Sequence, residues 1–128
     1  MTFRIEHDSI GEMEVPEEAY YGCQTLRAKA LYNITGNAIS GHRSLIHALA
    51  WIKLAAAQAN CDLGLLDRKK AQAIADACEE LLQNKLHDQF IVDAIQGGAG
   101  TSTNMNANEV ICNRALELLG YERGQYEF

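Results

Sequence analysis

Over residues 42–63 the apolar positions Leu45, Leu49, Ile52, Ala56, Ala59 and Leu63 recur at alternating spacings of four and three. That rhythm predicts a helix with this face packed against other helices. The run Ala55, Ala56, Ala57 keeps the helix slender, so that neighbouring backbones approach closely and more than one partner is expected, and Gly64 offers a left-handed stop. A further helix is expected from Asp67, a good N-cap, with Ala71, Ile74, Ala75, Cys78, Leu81 and Leu82 at helical spacing; Arg68, Lys69 and Lys70 in its first turn oppose the dipole. Residues 101–119 read as a last helix carrying Val110, Ile111, Ala115, Leu116 and Leu119 and ended by Gly120. Nearer the start, Pro16 suits a first helical position and Glu17 and Glu18 favour the dipole, which predicts a helix over 16–31. Ahead of it, strand-like runs at 3–6 and 12–15 flank turn chemistry at 7–11, a small hairpin. Residues 33–41 have loop composition, and 85–100 break the helical rhythm. The expected class is mainly α with a short N-terminal β-hairpin.

At 128 residues, with 48% hydrophobic and 22% charged positions, the chain has the composition of one globular domain, 1–128. Its 11 basic against 17 acidic residues give a net charge of −6, which disfavours a nucleic-acid partner. No run approaches the roughly 20 apolar residues of a membrane span, and the opening Met-Thr-Phe-Arg-Ile-Glu-His-Asp lacks a signal peptide's apolar stretch, so no membrane partner and a cytoplasmic location are expected. Cys23, Cys61, Cys78 and Cys112 form no CxxC pair and read as small core residues. His7, His42, His47 and His87 show no metal-ligand spacing, so no metal is expected.

Gly97, Gly98 and Gly100, followed by Thr101, Ser102, Thr103 and Asn104, carry the chemistry. Glycines let backbone come near a ligand, and a helix start offers unpaired N–H groups, a favourable dipole and hydroxyls for a carboxylate or phosphate. The local pattern fits equally a glycine-rich turn with an ordinary Ser/Thr cap. A P-loop is excluded, because Thr101 stands where its lysine is required. Asn104, Asn106, Asn108 and Asn113 are poor helix formers, and buried polar contacts are their expected role.

Taken together, Arg4-Ile5-Glu6, Val15-Pro16, the run from Tyr20 through Gly22-Cys23-Gln24 to Ala28, Lys53 before the alanines, and above all 87–90, 96–102, Asn104-Met105-Asn106 and Asn108-Glu109-Val110 resemble the N-terminal part of the aspartate ammonia-lyases in the aspartase and fumarase superfamily. The fumarase form of the loop usually has a serine where this chain has Ala99. Tyr21, Leu26 and Ala28 also lean towards aspartase, while Gln24 is shared by both. The resemblance implies a small helical N-terminal domain beside a central helix bundle, in a homotetramer whose sites draw on several subunits. It implies reversible elimination of ammonia from L-aspartate to give fumarate, with no redox cofactor, and Thr101 as a substrate-binding residue with Gly100 and Ser102 as neighbouring donors.

The family's Ser-Thr-Asn-Asp segment, Thr-His pair and Gly-Ser-Ser loop with the catalytic serine have no counterpart here. The chain is therefore expected to be a piece of a longer lyase, with no catalytic residue of its own and inactive alone, exposing apolar surface that the bundle covers. A fumarase-type lyase and a non-catalytic interaction module are the competing readings.

Overall fold

The computed structural model describes residues 1–128. Strands β1 (Phe3–His7) and β2 (Glu12–Pro16) pair antiparallel, with Phe3 opposite Pro16 and His7 opposite Glu12. The turn between them is held by Asp8, whose carboxylate accepts from the Ile10 and Gly11 N–H groups and is clasped by Arg27.

Helix α1 runs over Cys23–Leu31, not from Pro16. Arg4 explains the difference. Its guanidinium donates to the carbonyls of Pro16, Glu17, Ala19 and Tyr21 at 2.9 to 3.2 Å. Most of the acceptors that a first helical turn would need are thereby taken, and Pro16 ends a strand instead. A long-range ion thus overrides a local N-terminal signal.

Helices α2 (Arg43–Asp62), α3 (Arg68–Leu82) and α4 (Thr101–Leu118) form the body, each within a residue or two of expectation. Asp67 caps α3 by accepting from the N–H groups of Lys69 and Lys70, which offsets the basic first turn. Phe90, Ile39, Ile46, Leu81, Val92 and Val110 are fully buried where the helices meet the 90–94 segment. Burying Phe90 alone contributes about 2 to 3 kcal/mol.

The inward face of α2 is corrected. Ile46, Ala50, Leu54 and Ala57 are buried, whereas Ile52 is 61% and Leu63 73% exposed, and Ala56 and Ala59 face outward with them. Both stripes have helical spacing, so periodicity finds the helix without choosing its face. The second stripe leaves the expected uncovered apolar surface. Two cysteines are also corrected: Cys23 and Cys78 are core residues, but Cys61 and Cys112 are only half-buried. No helix is long and apolar enough to cross a membrane.

Candidate functional site

The glycine segment is delivered to the head of α4 by a short antiparallel pairing. Ile39 N–H donates to the Val92 carbonyl at 2.9 Å and Ala94 N–H to the Asn37 carbonyl at 2.8 Å, around a bridge between Ala38 and Asp93. Asp93 then pins both sides. One of its oxygens accepts from the amides of Ile34, Thr35 and Gly36, the other from the Thr35 hydroxyl and the Ile95 amide. The Ile95 amide and these other donors hold its carboxyl far below the usual carboxylate range.

Beyond Asp93 the chain crosses Gly97, where an added Cβ would lie 3.1 Å from the Tyr32 hydroxyl, and then takes left-handed conformations at Gly98 (φ 87°) and Gly100 (φ 84°). Only glycine adopts these without strain. Gly100 is the α4 N-cap and brings no side-chain cap. The Thr101 and Ser102 N–H groups have no acceptor within the chain, while the Thr103 N–H donates to the Gln96 side chain at 3.2 Å. Gln96 also donates to the Thr103 hydroxyl at 2.7 Å and to the Asp93 carbonyl at 2.8 Å. Thr101, Ser102 and Gly100 thus lie together, and Gly100 and Thr101 are exposed. The arrangement is an open pair of amides with a hydroxyl beside them at the positive end of an 18-residue helix, suited to one carboxylate.

A cation lies one turn further in: Lys53 of α2 donates to the Asn104 side chain at 2.6 Å. Two of the four asparagines, Asn106 and Asn113, make the buried polar contacts expected of them, while Asn104 and Asn108 are only half-buried. Asn106 donates to the Gln89 carbonyl, and Asn113 donates to the Tyr20 carbonyl and the Tyr126 hydroxyl while accepting from the Gly124 N–H.

A second polar centre, which sequence reasoning missed, holds α4 against the start of α1. Glu109, 6% exposed, accepts from the amides of Gly22, Gln24 and Thr25 at 2.7, 2.9 and 3.1 Å. Glu6 accepts from the Cys23 N–H, from Arg4 and from the Tyr126 hydroxyl. Two carboxylates from distant parts of the chain thus cap one short helix, and they crowd Gly22 so closely that a Cβ there would sit 2.6 Å from a Glu6 oxygen. Burial pushes the Glu109 carboxyl above its ordinary value against the pull of these amides. The signal available in the sequence was an acidic residue set directly beside the apolar positions Val110 and Ile111 of α4.

A family model described as Lyase matches residues 11–127. The chain is 56% identical over 125 residues to an aspartate ammonia-lyase of Helicobacter pylori, covering 98% of this chain and 27% of that protein. It is 54% identical over 122 residues to a class II fumarate hydratase of Halobacterium salinarum, covering 95% of this chain and 26% of that protein. The native crystal structure of a fumarate lyase:delta crystallin from Brucella melitensis superposes with a TM-score of 0.97 at 50% identity, over 98% of this chain and 29% of that one. The chain spans about a quarter of the length of the curated relatives it matches. An N-terminal hairpin, a helical body and a glycine segment feeding α4 are the same fold at half-identical sequence, and on these grounds the chain belongs to the lyase family.

Proposed function

We propose that residues 1–128 act as the N-terminal domain of an aspartate ammonia-lyase, in which Thr101, Gly100 and Ser102 bind a substrate carboxylate. The observation that carries the proposal is the pair of unpartnered amides at Thr101 and Ser102 with the Thr101 hydroxyl beside them. When a Cβ proton leaves L-aspartate, negative charge collects on the β-carboxylate. Donors fixed before the reaction stabilise that charge without reorganising, and ammonia departs to leave fumarate. The chemistry needs no redox cofactor, since the elimination transfers no net electrons to or from the substrate. The base and the remaining donors come from polypeptide beyond these residues, within a homotetramer located in the cytoplasm, so the 128 residues alone produce no fumarate.

Ala99 supports aspartate as the substrate together with Tyr21, Leu26 and Ala28. A serine at 99 would add a donor to the carboxylate, and its absence is a difference that a polar site turns into substrate discrimination. The kinship with a class II fumarate hydratase sustains a second reading, water elimination from malate. Both are tested on the complete protein. Ammonia release from L-aspartate should greatly exceed fumarate formation from malate; the reverse ratio establishes the second reading. Thr101→Val should lower kcat/KM for aspartate by about 10- to 100-fold, the loss of one hydrogen bond to a charged group. Unchanged turnover and KM would sink the assignment of the loop.

A further inference from the structure

We infer that Gln96 is a positioning residue that selects which amides of α4 remain open to the carboxylate, an inference resting on the reading of the loop proposed above. The first turn of a helix presents several N–H groups with no intrahelical acceptor, and an anion centres itself on all those within reach. Here the third of them is withdrawn. The Gln96 carbonyl oxygen takes the Thr103 N–H, and its amide nitrogen donates to the Thr103 hydroxyl. What remains outward is Thr101 and Ser102, the two amides adjacent to the Thr101 hydroxyl.

The same side chain fixes the span on its other side. Its nitrogen also donates to the Asp93 carbonyl, and Asp93 is anchored to residues 34–36 by three amides. Residues 97–102 are therefore a loop clamped at both ends by one amide group, with its left-handed turns at Gly98 and Gly100 lying between the clamps. Without Gln96, the Thr103 N–H joins the donors and the 97–102 span loses its clamp to Asp93 and Thr103, so the Thr101 and Ser102 amides are no longer fixed before the anion arrives.

The test follows the backbone amide resonances of Thr101, Ser102 and Thr103, with threonine and serine selectively labelled, in the complete protein during titration with succinate, a non-reacting four-carbon dicarboxylate. The unaltered chain should show saturable shifts at Thr101 and Ser102 with little change at Thr103. In Gln96→Ala, Thr103 should join the responding set, its hydrogen exchange should accelerate, and succinate should bind about tenfold more weakly. A merely structural glutamine would lower the melting temperature without changing which amides respond. Should Gln96→Ala fail to fold, Gln96→Met keeps the volume and removes both the acceptor for the Thr103 N–H and the donor to the Asp93 carbonyl and the Thr103 hydroxyl; Thr103 should again join the responding set. A folded variant with the original affinity and amide pattern overturns the role of Gln96 and leaves the loop assignment standing. Absence of any succinate response at Thr101 and Ser102 in the unaltered complete protein overturns both.

Discussion

Replacing Glu109 probes the polar centre that joins α4 to α1. Glu109→Ala strands three amide donors, those of Gly22, Gln24 and Thr25, at about 1 kcal/mol each, for a loss of about 3 kcal/mol. That is a large fraction of the stability of a domain this size. Glu109→Gln behaves differently. One oxygen still accepts, and the buried charge that pushes the carboxyl upward is gone, so the expected loss is about 1 kcal/mol. The folded chain holds the Glu109 proton more tightly than the unfolded chain does. The stabilisation from that proton is complete below the ordinary value of 4.5 and is lost as pH rises through the higher folded value. Unaltered protein should therefore weaken relative to Glu109→Gln over that interval, and the cost of the glutamine should be smaller at neutrality than below 4.5. Urea unfolding followed by far-ultraviolet circular dichroism at several pH values measures all of this, with m unchanged if only the native contacts are altered. Equal losses for the two variants, or an alanine loss under about 0.5 kcal/mol, would refute the capping argument.

Gly22→Ala should cost about 1 to 3 kcal/mol, because its Cβ meets Glu6, Glu109 and Tyr126 atoms at 2.6 to 2.9 Å; a thermal melt indistinguishable from the parent would contradict that crowding. Asp93 is held far below its ordinary 3.8, so its contribution is present above that value and fades as pH falls through the folded one. Asp93→Asn should accordingly flatten the acid limb of melting temperature against pH, and a limb of unchanged slope speaks against the anchor. Burial pushes the Cys23 and Cys78 thiols up to about 11, so a thiol reagent at neutral pH should modify half-buried Cys61 well before either. Peptide mapping that finds Cys78 labelled first would reverse this order.

The helices α2, α3 and α4 were legible because each carries a long apolar period with a cap or a glycine stop, features that act within a few residues. What escaped is what depends on distance. Pro16 with Glu17 and Glu18 is a sound local helix start, yet Arg4, twelve residues earlier, claims the Pro16 carbonyl. The α2 pattern concealed two stripes, and the more regular one faces outward because the three-helix core uses Ile46, Ala50 and Leu54. At the candidate site, the glycine turn and the helix start at Thr101 were readable from the local pattern, since their conformations are local, whereas a binding role for Thr101 came only with the family resemblance. The roles of Gln96 and Asp93 were not, because a glutamine or aspartate reveals its partner only after the loop is folded.

The hydroxyl of Tyr126 reaches Glu6 from 120 positions along the chain. During synthesis the N-terminal hairpin leaves the ribosome long before its last partner exists. Until residue 126 emerges, Glu6 has only Arg4 and the Cys23 amide as partners. The order of translation thus delays completion of this buried cluster, and a nascent chain halted short of residue 126 leaves Glu6 without its hydroxyl donor.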